Sequence, residues 1–325
     1  MASKCTEVTP QCPVEYTTLG YYPNKPLNIF CAAAFGVAMV IQLVVCVWKK
    51  TWAFSSFIVA GCALEVAGYA ARVPLAANPW NSQAFQTQIC AIILAPTLIC
   101  ISIYLTLKHL TLTLNPSLSR IRPKWLPFIF VPADVTCLLV QAIGGALAAS
   151  GGSENRKLVD DGNRAIIAGI ALQVVVLLCF GALSLDYWLR AKRWVHSSDV
   201  TPAALALWND KKFRTFGYAV VGAYICVQIR CIYRVAEMAG GWGNVIMQDE
   251  PSFAVLDSFM VLICVYLLSC FPPGIYFPQM AKGGKSPHNK SGTSESAGEE
   301  SQDIEQGGLA GEEESKEGHN SKAES

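Results

Sequence analysis

The chain has 325 residues, of which 52% are hydrophobic and only 15% charged, with a formal net charge of +1 and a mean hydropathy of +0.35. That apolar share, with so few charges and a positive mean hydropathy, strains a soluble globular reading, because the apolar residues must face something other than water. Nucleic-acid binding finds little support, because the basic loops are better explained by membrane topology and by contact with anionic lipid head groups.

Residues 1–26 are polar and contain no apolar run. They read as an extracellular segment without a cleavable signal, leaving the first span to direct insertion. Seven apolar blocks follow: Leu27 to Trp48, Phe54 to Leu75, Gln86 to Leu107, Leu126 to Ala149, Ala165 to Tyr187, Arg214 to Met238 and Phe253 to Phe277. Each meets the roughly 20 residues that a helix needs to cross a bilayer. Trp48, Trp52, Trp125, Trp188 and Trp242 flank them, as aromatic residues do at the bilayer surface. Open strands cannot satisfy their backbone in lipid, so the fold class is all-α: a polytopic seven-helix domain over 27–278. The remainder, 279–325, is rich in Gly, Ser, Glu and Lys and too polar to bury a core. It reads as a disordered acidic tail, a place for phosphorylation, ubiquitination and cytosolic regulatory partners.

Lysine and arginine crowd the first, third and fifth connections: Lys49 and Lys50, then Lys108, Arg120, Arg122 and Lys124, then Arg190, Lys192, Arg193, Lys211, Lys212 and Arg214. Lys282, Lys285 and Lys290 follow the last span. The opposite side has Lys4, Lys25, Arg156, Lys157 and Arg164. The positive-inside rule therefore predicts an N-terminus outside and a C-terminus in the cytosol. Of the thirteen cysteines, only Cys5 and Cys12 then fall on the oxidising side, where they are free to pair. The rest lie in apolar blocks and behave as small hydrophobes.

The stretch EVAGYAAR in the second block puts Glu65 and Arg72 among apolar residues. An ionised side chain at mid-span costs on the order of 3 kcal/mol on insertion scales, so it requires a reason. Gly61, Glu65, Gly68 and Arg72 share one helical stripe, which should face the bundle interior. Asp134 and Gln141 share a face of the fourth block. Arg230, Arg234 and Glu237 share one in the sixth, and Asp257 lies in the seventh. Three arginines against four carboxylates suggest pairing around one internal polar chamber, with the excess carboxylate available to a cationic guest or a proton. The competing reading is that Arg230, Arg234, Glu237 and Asp257, near the outer ends of their spans, form plain salt bridges between helices. Glu65 and Asp134 lie deeper and favour function. Gly144 and Gly145 read as packing residues.

Other chemistries find little support. No cofactor or metal is expected. Zinc hydrolysis would need ligands inside the membrane, whereas His109, His196, His288 and His319 fall in predicted loops or the tail. Gln279 stands where a Walker A loop would need the glycine that precedes Gly284, Lys285 and Ser286. A seven-helix receptor or sensor shares the topology and is the alternative to transport, although the third span ends in YLTLKHL.

Several stretches together resemble a known family. They are YYP with Asn28, EVAGYAAR, LAPTLICISIYLTL with Gln88, Pro96 and Tyr104, RIRPKW leading to Asp134, QAIGGALAAS, Gln173, RCIYRVAEMAGG, and Glu250, Phe253 and Asp257. In this order they are similar to the fungal lipid-translocating exporters, seven-helix proteins named for resistance to an aminocholesterol, whose best-known members release sphingoid long-chain bases. The resemblance covers most of residues 20–275. It departs at Pro272, Pro273 and Gly274, where relatives often carry His-Pro-Gly. It implies a plasma-membrane protein that moves an amphipathic lipid, contributes to resistance to toxic amphiphiles and has membrane lipids as its partners. By the same reading Glu65 and Asp134 meet the cationic head. Arg72, Arg230 and Arg234 keep neighbouring carboxylates ionised or contact phosphate, and Gln141, Glu237 and Asp257 complete the lining.

Overall fold

The computed structural model describes residues 5, 7–151, 155–197, 200, 202–240 and 243–273, with no side chains at 149, 151 and 203. The predicted disordered tail at 279–325, Trp242 and Gly274 lie outside the described residues. The described chain is helical, and its only bridge outside helices joins Thr9 to Cys12.

Seven helices are long and apolar enough to cross a membrane. They are α1 (Lys25–Lys49), α2 (Trp52–Leu75), α3 (Ser82–Leu114), α4 (Leu126–Gly151), α5 (Arg156–Val195), α7 (Lys211–Ala239) and α8 (Glu250–Cys270), with a short α6 (Pro202–Asn209) between α5 and α7. Starts are set by local chemistry. The side chains of Asn24, Asn81, Asn155 and Asp210 accept hydrogen bonds from the first free N–H groups of α1, α3, α5 and α7. Helices α3 and α5 outrun their predicted blocks, because backbone hydrogen bonding continues where apolar composition stops. His109 consequently lies inside α3, and His196 ends α5, rather than in free loops.

Sequential helices pack side by side from α1 to α5, α5 packs on α7, α7 on α8, and α8 returns to α1 to close the ring. Helix α3 also touches α7 across the middle. The bundle is apolar outside, and its intraspan charged side chains are buried among the apolar core. Ile29, Phe30, Val37, Val40, Val44 and Val47 of α1 are exposed, as are Phe128, Val135, Leu139 and Ile143 of α4. Meanwhile Glu65, Arg72, Gln88, Asp134, Arg230, Glu237 and Asp257 are buried. A water-soluble protein arranges these classes the other way round, and lipid is the solvent that this exterior fits.

Residues 7–24 lie on the face where α1, α3, α5 and α8 begin, here termed the amino-terminal face. Cys5 and Cys12 form a disulfide, and the Trp80 indole donates to the Cys12 carbonyl at 3.3 Å. Leu19 is buried against Leu75 and Ala84.

Small residues let α4 and α5 approach closely. A Cβ on Gly162 would meet Ala148 N at 2.5 Å and the Gly144 carbonyl at 2.6 Å, and one on Gly144 would meet the Gly162 carbonyl at 2.7 Å. Gly145, read from sequence as a packing residue, has nothing within 4 Å of such a Cβ. It points away from α5. Gly162→Val is expected to cost about 1–3 kcal/mol through overpacking, lowering the melting temperature in detergent by several degrees. Gly145→Val should melt with the parent; equal melting of the two variants would refute this interface.

Candidate functional site

Arg72, on the last turn of α2, organises the amino-terminal face. Its Nε donates to Asn28 Oδ1 of α1 at 2.8 Å, Nη1 to Gln88 Oε1 of α3 at 3.2 Å, and Nη2 to the Tyr21 hydroxyl at 3.0 Å. Glu250 Oε1 of α8 lies 3.5 Å from Nη2 and also accepts from the Asn24 backbone N–H at 2.8 Å. The guanidinium lies over the Phe253 ring, 4.6 Å from its centroid, and Arg234 lies over the same ring at 5.5 Å. Burial holds the Tyr21 phenol above its usual range, with Arg72 opposing, so the hydroxyl stays neutral. A cavity of about 30 Å³ opens between these groups, lined by Tyr21, Arg72, Gln88, Arg234, Glu237 and Phe253 among others. It has room for roughly two water molecules.

Below this layer lies a buried ion cluster. Arg234 grips Asp257 with Nε and Nη2 at 3.0 and 2.9 Å, and reaches Glu237 Oε2 with Nη1 at 2.7 Å. Asp257 belongs to a π-helical turn, Ala254–Phe259, whose wider backbone lets the consecutive residues Asp257 and Ser258 both face inward. Arg230, one α7 turn deeper than Arg234, sits 2.8 Å from Asp257 Oδ1 through Nε. Its Nη2 donates to the Ile92 carbonyl of α3 at 2.7 Å. That carbonyl is free because Pro96, four residues on, has no N–H to offer it.

Glu65 lies at the foot of this column, about 10 Å below Arg72 along α2. It is 1% exposed, and neither carboxylate oxygen has a hydrogen-bond partner. The charged groups facing it are Arg230, Asp257 and Arg234. Gly61 and Gly68 share its stripe, and a Cβ on either would strike α3, at Ile99 and Ile92 respectively. Arg72, Arg230 and Arg234 face Glu65, Glu237, Glu250 and Asp257, so the column holds one more carboxylate than guanidinium. Glu65 is the one left over. A buried polar group without a partner is costly, and this carboxylate is suited to a donor cation arriving from outside the fold.

The single chamber expected from the sequence is divided. Arg72, Arg230, Arg234, Glu237, Asp257 and Glu65 form one column between α2, α3, α7 and α8. Asp134 and Gln141 stand apart from it, on the α4 side of the bundle. Asp134 Oδ2 accepts from the Tyr104 hydroxyl at 2.7 Å, inside a jacket of Phe130 and Phe180 around the Tyr104 ring. Gln141 donates to Gln173 at 3.1 Å, which donates to Thr97 at 3.3 Å. Among the described residues no hydrogen bond or ion pair joins either to the column. The cause is register: two turns along α4 keep both residues on one face, but that face meets α3 and α5 rather than α2. The direct pairing of Arg234 with Asp257 matches the salt-bridge reading of those residues.

Sequence reasoning did not assign site roles to Tyr21, Asn28, Gln88, Tyr104, Glu250 and Phe253. Asn28 and Gln88 carry a usable signal, since both are amides among the first residues of apolar blocks, at the level where antiparallel α2 ends in Arg72.

Residues 58–280 match the family model described as RTA1 like protein. The chain is 28% identical over 284 residues to the sphingoid long-chain base transporter RSB1 of Saccharomyces cerevisiae, an alignment covering 79% of this chain and 74% of that protein. It is 27% identical over 224 residues to the uncharacterized membrane protein YLR046C of the same organism, covering 68% and 77%. With protoporphyrin uptake protein 1, also of Saccharomyces cerevisiae, it shares 25% identity over 211 residues, covering 64% and 65%. No solved structure matches.

Proposed function

The chain belongs to the RTA1 like protein family, and from that premise we propose that this multi-pass membrane protein moves amphipathic lipids with a cationic head, such as sphingoid long-chain bases, out of its membrane. One observation carries the reading: Glu65, buried and unpartnered at the foot of a polar column, next to a cluster whose arginines bond to other groups. An ammonium head group supplies the charge and the N–H donors that both oxygens lack, while the acyl tail stays among the apolar side chains. The similarity to a named long-chain base transporter supports the same substrate class. In this reading the amino-terminal face is extracellular, the basic connections and the tail are cytosolic, and the membrane is the plasma membrane. The protein acts as a transporter rather than an enzyme. Asp134, bonded to Tyr104, serves as a support for α3 against α4 rather than as a head-group ligand.

Glu65→Gln keeps the shape and removes the charge. Export of a fluorescent sphingoid base from cells, or from liposomes holding the purified protein, is expected to fall by about tenfold or more, the size of one hydrogen bond to a charged group. Export of the base by Glu65→Gln at the parental rate, with equal protein in the membrane, would overturn the assignment.

A further inference from the structure

Asp257 and Glu65 share the nearby cations unevenly. Asp257 has two arginines, and Glu65 has none. Arg234 alone satisfies both Asp257 oxygens in a bidentate grip. Arg230 Nε, although 2.8 Å from Oδ1, does not aim its N–H at that oxygen and makes no hydrogen bond there. Arg230 is therefore the surplus cation, and its firm contact is on another helix: the Ile92 carbonyl that Pro96 leaves open. Arg230 is also one of the charged groups that face Glu65.

Resting on the lipid-transport reading above, we propose that Arg230 is an internal competitor for Glu65. It parks on the Ile92 carbonyl and Asp257, leaving Glu65 open to a cationic head group, and turns onto Glu65 to expel that group before returning to its parking place. The exchange is balanced in charge. With the ligand bound, the ammonium neutralises Glu65; as it leaves, Arg230 does so, and Arg234 continues to neutralise Asp257. Expulsion therefore does not leave Glu65 as a lone buried charge, the condition that makes ion movement within a membrane expensive. Pro96 is then a positioning residue: by withholding one N–H it provides the parking place.

Two variants test this without reference to transport. Pro96→Ala restores an N–H to the Ile92 carbonyl, competes with Arg230 and drives it to Glu65. Arg230→Gln removes the competitor. The first readout is labelling of the full-length protein in nanodiscs with dicyclohexylcarbodiimide, which couples to membrane-buried carboxyl groups outside ion pairs. Mass spectrometry should find Glu65 labelled in the parent, labelled about tenfold less in Pro96→Ala, and labelled at the parental level in the double variant, tenfold being the size of one hydrogen bond to a charged group. The second readout is binding of a pyrene-labelled C18 sphingoid base. It should weaken about tenfold in Pro96→Ala, recover in the double variant, and dissociate about tenfold more slowly from Arg230→Gln. Labelling of Glu65 in Pro96→Ala at the parental level, or protection that persists in the double variant, overturns the exchange. If the labelling pattern holds but the parent protein does not bind the base, the exchange stands and the transport reading falls.

Discussion

Asp257→Ala is expected to leave little folded protein. Asp257 is the shared counter-ion of Arg230 and Arg234, and its carboxylate accepts the two hydrogen bonds that fix Arg234 to α8. Removing it strands a guanidinium that is 4% exposed at residue level and leaves Arg234 with Glu237 alone. Breaking a buried ion pair from one side costs about 3–5 kcal/mol, because the remaining charge is uncompensated. That is a large share of the roughly 5–15 kcal/mol that holds a typical fold together. The measurement is the monodisperse fraction and melting temperature of the full-length protein in detergent. Because Arg230 is the surplus cation, adding Arg230→Gln to Asp257→Ala should recover part of the loss, and such non-additivity marks direct coupling. A single variant that melts within a degree or two of the parent would show that the cluster does not stabilise the bundle.

The reach of the sequence can be judged from these same residues. Seven apolar blocks were legible because a bilayer imposes a length and forbids charge, so Glu65 and Arg72 stood out in EVAGYAAR against a strong background. Which partners they take was not legible. Arg72 is held by neutral groups, Asn28, Gln88 and Tyr21, whose insertion cost is too small to mark them in a hydropathy reading. Arg230 finds Ile92 across 138 residues of chain, a pairing that depends on the register of α7 against α3. Pro96 announced a free carbonyl at Ile92, but nothing local named the donor. The π-helical turn also escaped, since an apolar run has the same composition whether its hydrogen bonds step by four residues or five. Hydropathy put Asp134 within a span but did not say which neighbours its face meets, since composition along a helix is blind to rotation about its axis. The closing contact of α8 on α1 is likewise a property of the ring, not of either helix.

Arg72→Lys is expected to loosen the amino-terminal face even though it preserves the charge. The guanidinium spreads three donors over α1, α3 and the N-terminal segment, keeps Glu250 of α8 within 3.5 Å and stacks on Phe253. A lysine ammonium is a compact point charge at the end of a flexible stem, and cannot satisfy those directions together from one position in α2. At least one of the buried amides, Asn28 or Gln88, would lose its partner, at about 1–3 kcal/mol for each unsatisfied group. The sum is expected to be about 2–4 kcal/mol, against about 1 kcal/mol for Tyr21→Phe, which deletes a single bond. The two variants also separate in place. Tyr21→Phe should speed amide exchange only around Gly20 and Tyr21. Arg72→Lys should speed it through residues 17–24 and at the first turns of α1 and α8, because Asn24 reaches Glu250, and Glu250 is positioned by Arg72. Parental protection of the α8 start in Arg72→Lys would mean that Phe253 packing holds this face, and that the arginine serves the cavity rather than the fold.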